Sequence, residues 1–240
     1  MKILIIEDQA MVRDMLAQAC RKTLPEAELF AAGTGELAYQ ICSHEQPELV
    51  LLDLGLPDVD GLELVGELFK ISRRTKVIVL SGFTDEFTVH RALGSSVHAF
   101  LDKNEQPLDV LDQAIGEVLA GRQYLSPSTR RIQAALRADP TAFSKVLSER
   151  EQELLGLFGR GLSNEEVATL RELSVHTVKI HRRNIMGKLG LHSTPHLIRY
   201  AIEKGFTRFG RVAEPVAWNT RGQRGAGLSP VVAPSLRFIS

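Results

Sequence analysis

The chain has 240 residues, 44% of them apolar and 24% charged, with 29 basic side chains matched by 29 acidic ones. That is the composition of a soluble globular protein of one large or two ordinary domains, and no apolar run is long enough to span a bilayer. The neutrality is a cancellation, because residues 1–121 hold 10 Lys+Arg against 20 Asp+Glu and residues 122–240 hold 19 against 9. Two domains are expected, the basic one meeting a polyanion.

The opening "MKILIIEDQA" has a short apolar run that ends in Glu7-Asp8, unlike a signal peptide. Apolar runs at Ile3–Ile6, Leu29–Ala32, Leu49–Leu52, Val77–Leu80 and Ala99–Leu101 alternate with helical patterns such as Met11–Leu24 and Gly61–Ser72. Five such βα units predict a doubly wound, five-stranded parallel sheet. The last helix should open at Pro107 and close at Gly121. Cys20 and Cys42 fall in amphipathic helical stretches and read as reduced core thiols of a cytoplasmic protein.

In such a sheet, ligands bind outside the carboxyl ends of the strands. Here the first strand ends in Glu7-Asp8, the third in Asp53, the fourth in Ser81-Gly82, and the fifth leads to Lys103. A carboxylate at the end of an apolar run costs desolvation energy unless it is compensated. Three carboxylates together suit a hard divalent cation, and Mg²⁺ favours such oxygen ligands. A lysine and a hydroxyl beside them would receive phosphoryl oxygens, which makes Asp53 a nucleophile that becomes an aspartyl phosphate.

With "DLGLPDVDG" after the third strand, this set resembles the receiver domain of bacterial response regulators over residues 1–121. The resemblance implies that Asp53 is the phosphoacceptor and that Glu7, Asp8, Asp53 and the Gly55 carbonyl bind Mg²⁺. It further implies that Ser81 and Lys103 read the phosphoryl group, and that Ser81 and Phe100 form the switch pair. Phe100 has no hydroxyl, so switching would rest on ring packing. Asp102 is expected to pair with Lys103 when the site is empty.

Residues 122–146 read as a linker holding at most one short helix, which stops at Pro140. From Leu147 onward the pattern is helical. Ser163 with Glu166 predicts a capping box, and Ser174 a second N-cap. Val178, His181, Ile185 and Leu189 form one stripe, with Lys179, Arg182 and Arg183 on the other side. No Asp or Glu occurs from Leu173 to Ile202, which points to a phosphate backbone. Two short helices with the second one basic describe a helix-turn-helix.

"LSEREQELL", "GLSNEEVA", "LSVHTVKIH" and "IMGKLGL" resemble the LuxR-type DNA-binding domain of the NarL/FixJ response regulators, over residues 147–206. By that resemblance, Val175 to Lys188 is the recognition helix, with Lys179, Ile180 and Arg183 toward the major groove. The helix opened by Pro195 is then the dimer-forming one. Arg182 is turned about a hundred degrees from Arg183 and is assigned to a phosphate; Lys188 completes the DNA-binding set. Leu170 is expected to fill the apolar space left by Arg171, freeing Arg171 for a phosphate. His181 is expected to be buried and hydrogen-bonded. The tail, residues 207–240, is expected to be mobile.

The reading is a cytoplasmic, phosphorylation-controlled transcription regulator rather than an enzyme. Its partners are double-stranded DNA, a sensor histidine kinase and a second copy of itself, with no membrane. Attraction between the acidic and basic halves would favour a closed resting state. Two rivals are a phosphatase-type enzyme using Asp53, which would need an acid where Gly55 stands, and a DNA binder with an inert receiver.

Overall fold

The computed structural model of the chain describes residues 1–105 and 107–207, with the backbone alone at 107–109. It opens with β1 (Lys2–Ile6), α1 (Ala10–Thr23), β2 (Glu28–Ala32), α2 (Gly35–Glu45), β3 (Leu49–Asp53) and α3 (Gly61–Ile71). There follow β4 (Lys76–Ser81), α4 (Glu86–Gly94), β5 (Ala99–Asp102) and α5 (Pro107–Leu119). All strand pairs are parallel; with a short sixth strand, β6 (Tyr124–Leu125), the order is β2-β1-β3-β4-β5-β6, so the strand order reverses between β1 and β3. That reversal is where a doubly wound sheet offers its crevice.

Alternation along the strands divides the core. Leu4, Ile6, Val50, Leu52, Val77 and Val79 pack on one face with Leu64, Val65 and Leu68 of α3. Ile3, Ile5, Leu49, Leu51, Ile78 and Leu80 pack on the other with Leu16 and Cys20 of α1 and Leu111 and Ile115 of α5. Every residue of β3 is buried, which is why the strand is apolar throughout until Asp53. Both cysteines are buried free thiols, and burial pushes Cys20 up to about 12 and Cys42 up to about 11.

The expected linker is instead structured. It forms β6 (Tyr124–Leu125), α6 (Pro127–Ala138) and the short α7 (Phe143–Val146). The Tyr124 amide donates to His98 O at 3.1 Å and the Ser126 amide to Phe100 O at 3.0 Å. The sheet therefore has six strands rather than five. Two residues are too few to carry a periodic pattern, and what holds them is the open edge of β5.

The second unit comprises α8 (Glu149–Gly159), α9 (Asn164–Leu170), α10 (Val175–Lys188) and α11 (Thr194–Glu203). Ser148 with Glu151 and Ser163 with Glu166 form capping boxes, and the Thr177 amide donates to Ser174 Oγ at 3.0 Å. Phe143, Leu154, Leu155, Phe158, Val167, Val178, Ile185 and Leu197 make its core.

The seam between the units is aromatic. Phe87 of α4 stacks on Phe206 with ring centroids 4.1 Å apart and meets Phe143 edge-on at 6.0 Å; His90 meets Phe143 at 5.5 Å. The Phe87 amide donates to Lys204 O at 3.0 Å, and Lys204 Nζ lies 2.5 Å from Glu86. Gly205, at φ 82°, abuts Asp85 so closely that a Cβ would fall 1.9 Å from its carboxylate. Ile132 of α6 packs against both the receiver core and the second core. The contacts at this seam are thus specific ones, four rings and the Lys204–Glu86 pair, with Arg131 of α6 pairing to Glu105 at 3.2 Å beyond them.

Candidate functional sites

The strand ends bring the expected residues together. Ligand atoms of Glu7, Asp8 and Asp53 lie within 4.8 Å of one another. Lys103 Nζ stands 2.6 Å from Glu7 Oε2 and 3.0 Å from Asp53 Oδ1. Glu7 is fully buried and Asp53 is 7% exposed. Burial raises the Glu7 pKa, Asp53 raises it further, and Lys103 opposes the shift. Lys103 pairs with two of the three clustered carboxylates, and the three together are a donor set that suits a divalent cation.

Ser81 closes β4 beside this pair and is fully buried. Its Oγ accepts from the Phe83 amide at 2.9 Å, so its proton remains available to donate. Its carbonyl accepts from the Lys103 amide at 2.9 Å, which locks the β5 end to the β4 end. Phe100 is fully buried and lies opposite Leu125 of β6 in the register.

The loop "DLGLPDVDG" assigns its carboxylates to different tasks. Asp53 alone enters the acidic cluster. Asp58 accepts from the amides of Gly35 and Glu36 at the start of α2, and Asp60 caps α3 while Arg91 holds it at 2.8 Å. A Cβ on Gly61 would lie 2.7 Å from Leu54 Cα and 3.0 Å from Asp53 O, so glycine lets α3 start against the strand end that carries Asp53.

Sequence reasoning missed several contacts. Arg13 Nη1 donates to the Glu7 carbonyl at 2.6 Å, bracing the acidic turn. Phe83, 40% exposed, borders Gly55. Asp102 does not pair with Lys103: Asn104 and Ser128 donate to it instead, Ser128 Oγ at 3.1 Å. That hydroxyl also lies 2.9 Å from Glu105, so the two carboxylates share its one proton, and the Ser128 amide donates to Glu105 at 3.2 Å. The partner lies 26 residues away on a helix the sequence pattern barely marks, so nothing local revealed it.

On α10, Lys179, Ile180 and Arg183 are exposed, and among the described residues neither Lys179 nor Arg183 has a hydrogen bond or ion pair. Arg182 and Lys188 differ. Arg182 donates to Asn164 and Thr194, and Lys188 Nζ lies 2.9 Å and 2.6 Å from the two oxygens of the buried Glu151. Two further expectations fail. Leu170 is 54% exposed rather than filling a core gap, and Arg171 is held by Glu153 at 2.7 Å rather than free. The α9 turn ends there, with Arg171 as its C-cap, which swings Leu170 outward. His181 is half-buried and its Nδ1 has no hydrogen-bond partner, because its apolar neighbours on the stripe offer none.

No described helix is long and apolar enough to cross a membrane. Residues 3–115 match the response regulator receiver domain and residues 145–201 the luxR family of bacterial regulatory proteins. The response regulator protein VraR of Staphylococcus epidermidis is 31% identical over 206 residues, covering 84% of this chain and 96% of VraR. The oxygen regulatory protein NreC of Staphylococcus aureus is 32% identical over 221 residues, covering 87% and 100%. RcsB of Salmonella enterica serovar Typhimurium, bound to promoter rprA with the phosphomimetic BeF3-, shares the fold at TM-score 0.61 and 20% identity, covering 83% and 97%. A structure of two RcsB dimers on two parallel DNAs gives 0.59 at 20% identity, covering 85% and 98%. With a receiver and a LuxR-type module in one chain, and curated relatives matched along nearly their whole length, this chain belongs to the two-component response regulators of the NarL/FixJ family.

Proposed function

We propose that Asp53 accepts a phosphoryl group from a sensor histidine kinase and that this controls DNA binding by α10. The observation that carries the reading is the position of Lys103, whose ammonium bridges Glu7 and Asp53. A cation held there can leave Glu7 for a phosphoryl oxygen on Asp53 without leaving the site. Glu7, Asp8 and Asp53, with the Gly55 carbonyl, would hold Mg²⁺, which neutralises charge around the transferring group. Ser81 donates its hydroxyl proton to a second phosphoryl oxygen. Phe100 would respond by repacking against Leu125 and β6, since it has no hydroxyl with which to form a bond.

The receiver occupies 1–121, the DNA-binding unit 147–206, and the segment between them is a docked element that links both cores. Lys179, Ile180 and Arg183 are the groove-facing set, and a second copy of the chain joins through α11, whose Ile202 is 38% exposed. Such a regulator works in the cytoplasm. A radiolabelled small phosphodonor with Mg²⁺ tests the reading: the wild-type chain should label and be stripped of label by hydroxylamine, as an acyl phosphate is. Labelling that persists in Asp53→Asn or without divalent cation would sink it.

A further inference from the structure

The basic residues of α10 are not equivalent, and Arg182 has the most elaborate surroundings. Its Nη1 donates to Asn164 Oδ1 at 3.2 Å and its Nη2 to Thr194 Oγ1 at 3.0 Å. Its guanidinium carbon lies 4.9 Å from the centroid of the Phe158 ring. Asn164 is the first residue of α9, Thr194 is the first of α11, and Phe158 belongs to α8 and is 1% exposed. One side chain thus ties the recognition helix to each of the other three helices of its unit. Burial lowers its pKa, the mark of a cation partly withdrawn from water.

Arginine suits this place for a physical reason. Its planar fork can present two parallel N–H groups to two separate acceptors while its face lies on an aromatic ring. Asn164 Oδ1 and Thr194 Oγ1 are neutral acceptors, so the fold has not spent a carboxylate here. Two of its five N–H groups and its face are thus already engaged inside the unit, and moving the guanidinium out to a phosphate would strain both hydrogen bonds and the ring contact. Lys179 and Arg183 border the same surface depression as Arg182, yet have no such bonds to break.

We propose that Arg182 is a positioning residue for DNA recognition. It sets the roll and tilt of α10 against α8, α9 and α11, so that Lys179 and Arg183 meet their contacts, and it makes no phosphate contact of its own. The inference rests on the reading of α10 as the recognition helix. It reverses the assignment that helical geometry alone suggests, in which Arg182 faces a phosphate.

The salt dependence of binding separates the two roles, because each phosphate contact adds about one unit to the slope of log K against log salt. The probes are a duplex selected by the wild-type full chain from a randomised pool and a scrambled duplex of the same composition. Arg182→Ala should weaken the selected duplex about tenfold or more, narrow its margin over the scrambled duplex, and leave the salt slope unchanged. The double variant Asn164→Ala/Thr194→Ala, which keeps every charge, should reproduce that pattern. It should also be non-additive with Arg182→Ala, as groups acting through one contact are. Arg183→Ala, which removes a groove contact of its own, should instead be additive with Asn164→Ala/Thr194→Ala. A flattened slope for Arg182→Ala, or full affinity in Asn164→Ala/Thr194→Ala, would overturn the proposal while leaving α10 as the recognition helix. Wild-type behaviour in both Lys179→Ala and Arg183→Ala would overturn the recognition-helix reading itself.

Discussion

The end of the receiver sheet and the outer face of α10 both gather charge, but they handle it oppositely. At the sheet end, Lys103 is committed to two carboxylates within a buried cluster. On α10, Lys179 and Arg183 stand in solvent without a partner among the described residues, while Arg182 and Lys188 on the same helix are already engaged. The difference teaches that a basic residue's task depends on whether the fold has supplied its acceptor. A cation paired inside a protein is poised for exchange or serves as a brace. A cation left unpaired is available to a polyanion at little desolvation cost.

The comparison breaks most completely at Asp53. Asp53→Asn keeps the side chain's shape and its place against Lys103 but removes the nucleophile. Phosphodonor labelling should fall to background, with circular dichroism unchanged. Labelling at the wild-type level would place the phosphoacceptor elsewhere and leave Lys103 a brace like Lys188.

Next in size is the test of the unpaired cations. Arg183→Ala should cost about 1–3 kcal/mol of discrimination on a selected duplex if the guanidinium reads a base edge. Lys179→Ala should behave similarly, since the two are one helical turn apart on one face. Equal losses on selected and scrambled duplexes, measured by anisotropy, would reduce both residues to phosphate holders.

What the sequence made legible follows the same line. The five long strands, the helices between them, the capping box at Ser163 and the N-cap at Ser174 are local patterns, and each is present where the pattern puts it; the bounds of α10 are those the family resemblance implied. The acidic pair, Asp53, Ser81 and Lys103 converge because parallel strands all end on one side of the sheet. What stayed hidden depends on partners far along the chain. Arg182 meets Asn164 and Thr194, 18 and 12 residues away in opposite directions. Lys188 meets Glu151 across 37 residues. The rings that join the units, Phe87, Phe143 and Phe206, lie in three separate segments, none with a motif around it. The expected mobile tail lies, beyond Thr207, outside the described residues.

The seam offers the next test, because it should persist without help from bulk charge. Phe87→Ala removes a stacked and an edge-on ring contact, and should cost about 1–3 kcal/mol through lost area and aromatic geometry. Gly205→Ala should open the same seam by a clash with Asp85 and by strain at its positive φ. Both variants should make residues 139–142 cleavable by protease and raise the radius of gyration in small-angle scattering. Glu86→Gln, which deletes only the ion pair, should do neither beyond about 1 kcal/mol. If Glu86→Gln opens the chain and Phe87→Ala does not, attraction between the acidic and basic halves governs the seam after all.

The smallest effect is expected at Ser128, where neighbouring residues serve different systems. Lys103 faces Asp53, whereas Asp102, one residue earlier and 6% exposed, receives Ser128 Oγ at the start of α6. Ser128→Ala deletes the one hydroxyl that Asp102 and Glu105 share, but the Asn104 amide and side chain still donate to Asp102 Oδ1 and the residue 128 amide to Glu105. The remaining bonds limit the penalty to about 1 kcal/mol, although hydrogen bonds to charged groups are often worth more. Loosening should be confined to the first turn of α6, seen as faster amide exchange at residues 128–131. The Asp53 labelling rate should not change, because the substitution leaves the Lys103 side of the loop intact. Unaltered exchange would mean that Ile132 and Leu136 hold α6 by packing alone. A slowed labelling rate would mean that the two neighbours are coupled, and that the docked linker reports directly on the phosphorylation site.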